Sequence, residues 1–331
     1  MQWVIVAAML MIGAAVSLTV GVRAIEPNAY IDAVWHYDPF DPAHVTIVHI
    51  RFPRFLAAIV VGAALGIAGL VMQALSRNPL ADPGILGVNA GAAFALVLGT
   101  ALMSQADQTV LTLLAFPGAA VASIVVFALG GGLKGDAGPV RLTLAGAAVN
   151  AFLLSSVTAV VLVQQETFDV LRFWVAGSLS DAAYRPLTAM AVVIGLATML
   201  AFAIAPSIET LSLGTDLARG LGMRPGYVQA GALTVVTLAT GAAVSVAGPI
   251  AFLGLLAPQL ATLVLQSSKD RSLRYRMLMS AALGAFILMV ADVLGRLILA
   301  PEEVRAGVVV ALVGGPVFVW IARSLKPGTT V

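Results

Sequence analysis

The chain has 331 residues, of which 60% are hydrophobic and only 10% are charged. Soluble domains carry about a quarter charged residues, so this composition excludes an ordinary globular protein. The formal net charge of +2 is too small to indicate nucleic-acid binding, and a sequence without cysteine excludes disulfides, thiolate metal sites and cysteine nucleophiles.

Apolar runs of about 20 residues recur along the chain, and a helix of that length matches the thickness of a bilayer. Backbone groups in lipid must be hydrogen-bonded within the chain, which favours helices. We therefore predict an all-α polytopic membrane protein with about ten transmembrane helices, forming a single domain over residues 1–331. The predicted spans are 3–22, 55–75, 85–103, 110–130, 142–163, 187–205, 227–248, 250–265, 278–299 and 306–322.

The first run, 3–22, is predicted to be a retained helix, because no Lys or Arg precedes it as in a secretory signal peptide. Cytoplasmic loops of membrane proteins are rich in Lys and Arg. Placing both termini in the cytoplasm puts most of the 18 basic residues on that side, namely Arg77, Lys134, Arg141, Arg219, Arg224, Lys269, Arg271, Arg274, Arg276, Arg323 and Lys326. The arginines left outside therefore need another explanation.

An Ala/Gly pattern at residues 62–69 recurs with the same spacing at residues 241–248, and a proline-bearing stretch follows each copy. In the predicted topology these two spans run in opposite directions, as in transporters built from inverted repeats. Chance recurrence among Ala/Gly-rich helices is the alternative.

The most informative block begins with Arg51-Phe-Pro-Arg54 and continues through the turn Arg77-Asn78-Pro79-Leu80-Ala81-Asp82-Pro83. Two prolines within five residues must break the helix after Leu75. From these residues alone, the block is an ordinary helical hairpin. A second block, residues 213–222, predicts a short polar helix on the inner face, with Asp216 in the first turn, where the helix dipole favours a negative charge.

These blocks, together with residues 247–316, resemble the FecCD/BtuC-type permeases, the type II ABC importers for iron-siderophores, haem and cobalamin. The resemblance runs from about residue 50 to 325. It departs from the family pattern at Gln259 and Thr262, where the family usually has His and Arg, and at residues 303–307. It implies the type II ABC importer permease fold with an inverted repeat.

The resemblance also implies roles for individual residues. Docking of a substrate-binding protein is assigned to Arg51, Arg54 and Arg296. The cytoplasmic gate is assigned to Asn78 and Leu80. Coupling to an ATPase is assigned to helices at about 209–224, with Leu213, Gly214, Asp216, Ala218, Arg219, Leu221 and Gly222. The structural alternatives are an Asp292–Arg296 ion pair four residues apart on one helix face, a plain turn, and a solvated surface helix.

We therefore expect a permease subunit rather than an enzyme, in the plasma (inner) membrane. Iron(III)-siderophore is the expected cargo, with haem or cobalamin as alternatives. The expected partners are a cytoplasmic ATP-binding subunit, a substrate-binding protein, a second permease copy and the lipid bilayer. No Walker A pattern occurs. No cofactor or metal is expected, because the spacing of His36, His44 and His49 fits no tight ligand pattern. The alternative from another class is an ion-coupled secondary transporter, for which Asp292 is the candidate carboxylate.

Overall fold

The computed structural model describes residues 2–103, 107–132, 138–267, 270 and 272–324. Within these ranges the chain is helical and contains no strand. Four of the basic residues assigned to inner loops or the tail, Lys134, Lys269, Arg271 and Lys326, lie outside the described residues. Among those described, seven helices are long and apolar enough to cross a membrane, and the shorter apolar helices are Val88–Leu102, Leu253–Val264 and Ala306–Trp320.

Each predicted span overlaps one of the observed helices. In chain order these are α1 (Gln2–Thr19), α2 (Pro27–Trp35), α3 (Pro42–Val45), α4 (Phe52–Ser76), α5 (Val88–Leu102), α6 (Gln108–Leu129), α7 (Pro139–Val163), α8 (Gln165–Val175), α9 (Leu187–Ser212), α10 (Thr215–Gly220), α11 (Pro225–Ala247), α12 (Leu253–Val264), α13 (Leu273–Ile298) and α14 (Ala306–Ser324). A π-helical turn at Thr46–Arg51 leads into α4, and a 3-10 turn at Pro83–Leu86 precedes α5.

The region expected to hold coupling helices, about 209–224, contains one complete short helix. α9 continues through Pro206 to Ser212, α10 occupies only Thr215–Gly220, and α11 begins at Pro225. Glycines with positive φ flank α10, at Gly214 (φ 134°) and Gly222 (φ 77°). These conformations suit glycine and set the short helix off from its long neighbours.

α4 lies at the centre of the bundle, where it packs against α9, α11, α12 and α13. A Cβ atom at Gly66 would lie 2.3 Å from the carbonyl oxygen of Ser280, and one at Gly69 would lie 1.9 Å from that of Gly254. The Ser280 hydroxyl donates to the Gly66 carbonyl at 2.8 Å. Glycine on α4 therefore lets the backbones of α12 and α13 approach to contact, as in other tightly packed membrane helices.

Helix contacts follow the same scheme in the two halves of the chain. α4 packs on α13 as α11 packs on α6, and α5 packs on α6 as α12 packs on α13, while α4 and α11 contact each other. Each helix of the triplet α4–α6 therefore has a counterpart with matching contacts in the triplet α11–α13. This correspondence is what the repeat predicted from the Ala/Gly pattern requires.

The bundle has two ends that matter for function. The arginine end is where α1 finishes and α4 begins, at Arg51, Arg54 and Arg296. The turn end is where α4 finishes, at the turn formed by residues 77–83, and it also carries α10. Gln2 at the start of α1 donates to the carbonyl of Val264 at the close of α12, so the N-terminal end of α1 lies at the turn end.

Candidate functional site

A cavity of about 300 Å³ opens at the arginine end, and all three arginines assigned to docking line it. They come from opposite ends of the sequence, the entry to α4 and the last turn of α13. The exposed Arg23 and the carboxylate of Glu303 complete the charged lining. The structure thus brings Arg51, Arg54 and Arg296 together around one space, while their guanidinium groups are also bonded within the chain.

Arg51 caps the C-terminal end of α1. Its Nη1 donates to the carbonyls of Leu18 at 3.0 Å and Thr19 at 2.7 Å, and its Nη2 donates to that of Arg23 at 2.6 Å. The hydroxyl of Tyr30 is a further partner of Nη1. The last carbonyls of a helix have no partner inside the helix and carry the negative end of its dipole. A buried cation is therefore well placed there, and Arg51 is only 4% exposed.

Arg54 and Arg296 share one buried carboxylate, that of Asp292. Arg54 Nε donates to its two oxygens at 2.8 and 3.0 Å, and Arg296 Nη2 donates to Oδ2. Arg54 Nη1 also donates to Glu303 at 2.7 Å. Two guanidinium groups thus face two carboxylates, and the cluster is neutral. The predicted Asp292–Arg296 ion pair is confirmed, but the sequence did not indicate that Arg54 and Glu303 join it.

The charge of the cavity follows from this pairing. Arg54 and Arg296 are 4% and 2% exposed and are neutralised by Asp292 and Glu303. Arg23 and Arg51 line the same space with no carboxylate of the cluster paired to them, so the cavity as a whole is positive. Guanidinium groups bind carboxylates through paired hydrogen bonds. The cavity can therefore accept an acidic side chain, and Glu303, whose side chain is 33% exposed, is the internal carboxylate nearest to solvent.

At the turn end, the residues assigned to the gate form a hydrogen-bonded turn. Asn78 Oδ1 accepts from the backbone N–H of Leu80 at 2.9 Å, and the N–H of Ala81 donates to the Asn78 carbonyl at 3.1 Å. An Asn side chain that closes on the backbone two residues ahead is a common turn device. The Leu80 side chain is held out from the bundle and is 39% exposed.

The turn is continued by Asp82 and supported from α12. Asp82 Oδ1 accepts from the N–H of Gly84 at 2.7 Å. Burial raises the pKa of the Asp82 carboxyl above its ordinary value of 3.8, and the Gly84 hydrogen bond opposes this only in part. Gln259 Nε2 donates to the Pro79 carbonyl at 2.7 Å. The departure from the family pattern at Gln259 therefore falls on a side chain that holds the turn.

The other departure, Thr262, also has a partner. Its hydroxyl lies 3.3 Å from Arg276 Nη2, which donates to it from α13. Arg276 of α13 thus contacts the residue at which the family usually has arginine.

Exposed leucines lie within α10 and directly beside it at the turn end. Leu213, Leu217 and Leu221 recur every four residues and are 70%, 52% and 66% exposed, whereas Ala218 is buried against the bundle. Asp216 and Arg219 form an exposed pair at 3.4 Å. Leu217 was not among the residues assigned to coupling, although it lies within α10 itself, whereas Leu213 caps α9 and Leu221 caps α10. Exposed leucines here offer an apolar surface to a partner or to lipid.

No group of three or more His, Cys, Asp or Glu that could hold a metal ion occurs in the part of the chain that the structure describes. The histidines at the arginine end have separate partners. His44 Nδ1 accepts from the N–H of Asp38 at 3.1 Å, and His49 Nε2 lies 3.0 Å from the Tyr37 hydroxyl.

Comparisons with known proteins agree over nearly the whole chain. The model of the FecCD transport family matches residues 9–324. The chain is 40% identical to the ferric enterobactin transport system permease protein FepD of Escherichia coli (strain K12), over 97% of this chain and 94% of that protein. It is 37% identical to the iron(3+)-hydroxamate import system permease protein FhuB of Bacillus subtilis (strain 168), over 97% of this chain and 82% of that protein.

The fold is similar to a solved structure of a metal-chelate type ABC transporter in an inward-facing conformation. The TM-score is 0.83 at 23% identity, and the match covers 97% of this chain and 98% of that one. At this identity the likeness concerns the fold of the helices.

Proposed function

Because the chain belongs to the FecCD transport family, we propose that it is the permease subunit of a binding-protein-dependent ABC importer for iron(III)-siderophores. The observation that carries the cargo class is the 40% identity, along almost the full length of both chains, to a permease of ferric enterobactin. The second relative, a permease of iron(3+)-hydroxamates, supports iron chelates rather than one particular siderophore. Haem and cobalamin remain the alternative cargoes.

The turn end is the cytoplasmic end in this proposal, and both termini lie in the cytoplasm of a plasma (inner) membrane protein. Arg77, Arg219, Arg224 and Arg274 cluster at that end, which agrees with the excess of basic residues in cytoplasmic loops. The exposed leucines within and beside α10 support a role as the lever that docks on an ATP-binding subunit, because an apolar surface beside an ion pair suits a protein partner better than water.

Two copies of the chain would form the pathway between them, and movement of α10 would open and close the turn at Asn78 and Leu80. In this scheme the permease supplies alternating access and the ATPase supplies the energy. The half-exposed Leu80 on a hydrogen-bonded turn supports the gate assignment, because a gate needs an apolar plug on backbone that can shift as a unit.

The positive cavity at the arginine end supports docking of an acidic side chain of the binding protein. Arg51, Arg54 and Arg296 are bonded within the chain, so an arriving carboxylate would compete with Glu303 for Arg54. We therefore expect Glu303→Gln to tighten association of the binding protein, measured by surface plasmon resonance on permease in nanodiscs. The matched control is Glu302→Gln, an exposed neighbour that does not line the cavity. Weaker or unchanged association of Glu303→Gln would contradict the docking role.

An ion-coupled secondary transporter is less well supported. Such proteins keep an intramembrane carboxylate that takes up and releases the coupling ion. Asp292 was the candidate, but it is 1% exposed and is held by Arg54 and Arg296. A carboxylate fixed between two guanidinium groups cannot bind and release a proton or sodium ion without breaking both ion pairs.

The test is uptake of radiolabelled ferric enterobactin and of a ferric hydroxamate by cells that lack their own siderophore permeases. The chain is expressed there together with its ATPase and binding protein. We expect uptake that vanadate abolishes and that a protonophore leaves intact while ATP is maintained. Uptake that survives deletion of the ATPase but collapses with the proton gradient would refute the proposal. Uptake of haem or cobalamin alone would move the cargo to an alternative.

A further inference from the structure

Arg77 ends α4 in a conformation that is unfavourable for its type. Its φ of 50° lies in the left-handed region, and its N–H donates to the carbonyl of Gln73. Helices commonly end this way on glycine, because a Cβ atom raises the energy of the left-handed conformation by about 1–2 kcal/mol. Arginine at this position therefore has a backbone cost that glycine would avoid.

The Arg77 side chain connects two helix ends from a distant part of the sequence. Its Nη2 donates to the carbonyl of Leu211 at 2.9 Å and to the hydroxyl of Thr215 at 3.1 Å. Leu211 lies in the last turn of α9 and Thr215 is the first residue of α10. One guanidinium group thus spans the joint between these helices, on both sides of Gly214.

The backbone of Arg77 leads directly into the turn. Asn78, the next residue, accepts from the N–H of Leu80 through its side chain, and Gln259 of α12 holds the Pro79 carbonyl. α10 itself packs on its chain neighbours α9 and α11. Arg77 therefore ties α10 to a part of the chain more than a hundred residues away, one residue before the turn that carries Leu80.

We propose that Arg77 is the positioning residue that transmits movement of α10 to the turn at Asn78 and Leu80. This inference rests on the proposed function, in which an ATPase moves α10. A displacement of α10 shifts Thr215 and, through the paired hydrogen bonds, the guanidinium group of Arg77. Because Arg77 sits where the helix ends, its displacement rotates the turn rather than the whole of α4.

The experiment uses Leu80→Cys as a reporter, which is the only thiol of the permease because this chain has no cysteine. The complex with its ATPase is placed in inside-out membrane vesicles, and the reporter is labelled with a membrane-impermeant maleimide. The labelling rate is compared with and without MgATP and vanadate. Arg77→Gly removes the side chain and relieves the left-handed backbone, so it preserves the turn. Thr215→Val removes only the acceptor on α10.

The matched control is Arg274→Ala. Arg274 is a further arginine at the turn end, and its Nε donates to a carbonyl of α9, that of Phe202, at 3.0 Å. This bond is made with neither α10 nor the turn. A general effect of losing an arginine that braces α9 would therefore appear in this variant too.

We expect the labelling rate to depend on nucleotide in the parent and in Arg274→Ala. The dependence should be lost in Arg77→Gly and reduced in Thr215→Val, while each variant still hydrolyses ATP. An undiminished nucleotide response in Arg77→Gly or in Thr215→Val would overturn the inference. A parent that shows no nucleotide response would instead overturn the proposed function, because the turn would then not be driven by the ATPase.

Discussion

Asp292→Asn tests the neutral cluster at the arginine end. The substitution keeps the size of the side chain but removes the charge that Arg54 and Arg296 share. Asp292 is 1% exposed and accepts from Arg54 Nε at 2.8 and 3.0 Å. Removing one partner of a buried ion pair costs about 3–5 kcal/mol, because it leaves a buried charge without compensation. Here Arg296 loses its carboxylate and Arg54 keeps only that of Glu303, so we expect a loss of stability in that range.

The matched control is Asp169→Asn. Asp169 pairs with Arg172 at 3.2 Å, and both side chains are about half exposed. Exposed ion pairs contribute about 0–1 kcal/mol, since water and salt screen them. The two substitutions therefore change the same atoms in the same residue type and differ only in the burial and number of the charges that they leave behind.

The free energy of unfolding is measured by titrating the purified protein in mixed micelles with SDS and following fluorescence of the four tryptophans. We expect Asp292→Asn to unfold at a distinctly lower SDS fraction than the parent, and Asp169→Asn to unfold close to it. If the two variants differ by less than about 1 kcal/mol, the cluster is not a buried ion network, and the electrostatic account of the arginine end is wrong.

The other predictions concern packing, the turn and α10. Gly69→Ala is expected to destabilise the bundle by at least about 1–3 kcal/mol in the same SDS titration, because its Cβ would lie 1.9 Å from a backbone oxygen. The control Gly195→Ala should have little effect, because open space surrounds its Cβ. The raised pKa of Asp82 means that the folded chain binds this proton more tightly than the unfolded chain, so the free energy of unfolding should fall as pH rises from about 3.8 through the folded pKa. Asp82→Asn should flatten that part of the plot of stability against pH. An unchanged slope would contradict this account. Leu217→Asp should reduce co-purification of the ATPase without lowering the amount of permease in the membrane, and full co-purification would contradict the role of α10.

The sequence predicts the long helices well, for a physical reason. An apolar run as long as a bilayer is thick has few alternatives to a membrane helix. The short elements α2, α3 and α8 were not predicted as helices, because segments outside the hydrocarbon can choose among water, lipid and protein partners. The region 209–224, where coupling helices were expected, holds only one complete short helix, because the preceding long helix takes up its first residues. α9 continues past Pro206, so the proline did not end the helix as its missing N–H would favour.

For the site, the sequence predicts contacts between residues that are close along one helix, but not contacts between distant parts of the chain. The pairing of Asp292 with Arg296 follows from a separation of four residues on one helix. The pairing of Asp292 with Arg54 could not be found in this way, because the two residues are 238 positions apart in sequence. Arg77 illustrates the same limit. Its place beside Asn78 is evident from the sequence, but its partners Leu211 and Thr215 depend on how α4 and α9 pack.

The sequence left two interpretations of the outer arginines, a structural ion pair and a docking site, and the geometry makes them compatible. Arg54 has two carboxylate partners, the buried Asp292 and the partly exposed Glu303. Displacing Asp292 would deprive Arg296 of its carboxylate partner, whereas Glu303 can move into solvent. An acidic side chain that enters the cavity would therefore take the place of Glu303 and leave the inner pair intact. Glu303 also accepts from the Ser180 hydroxyl, between α8 and α9, so its displacement would free a loop at the arginine end as well.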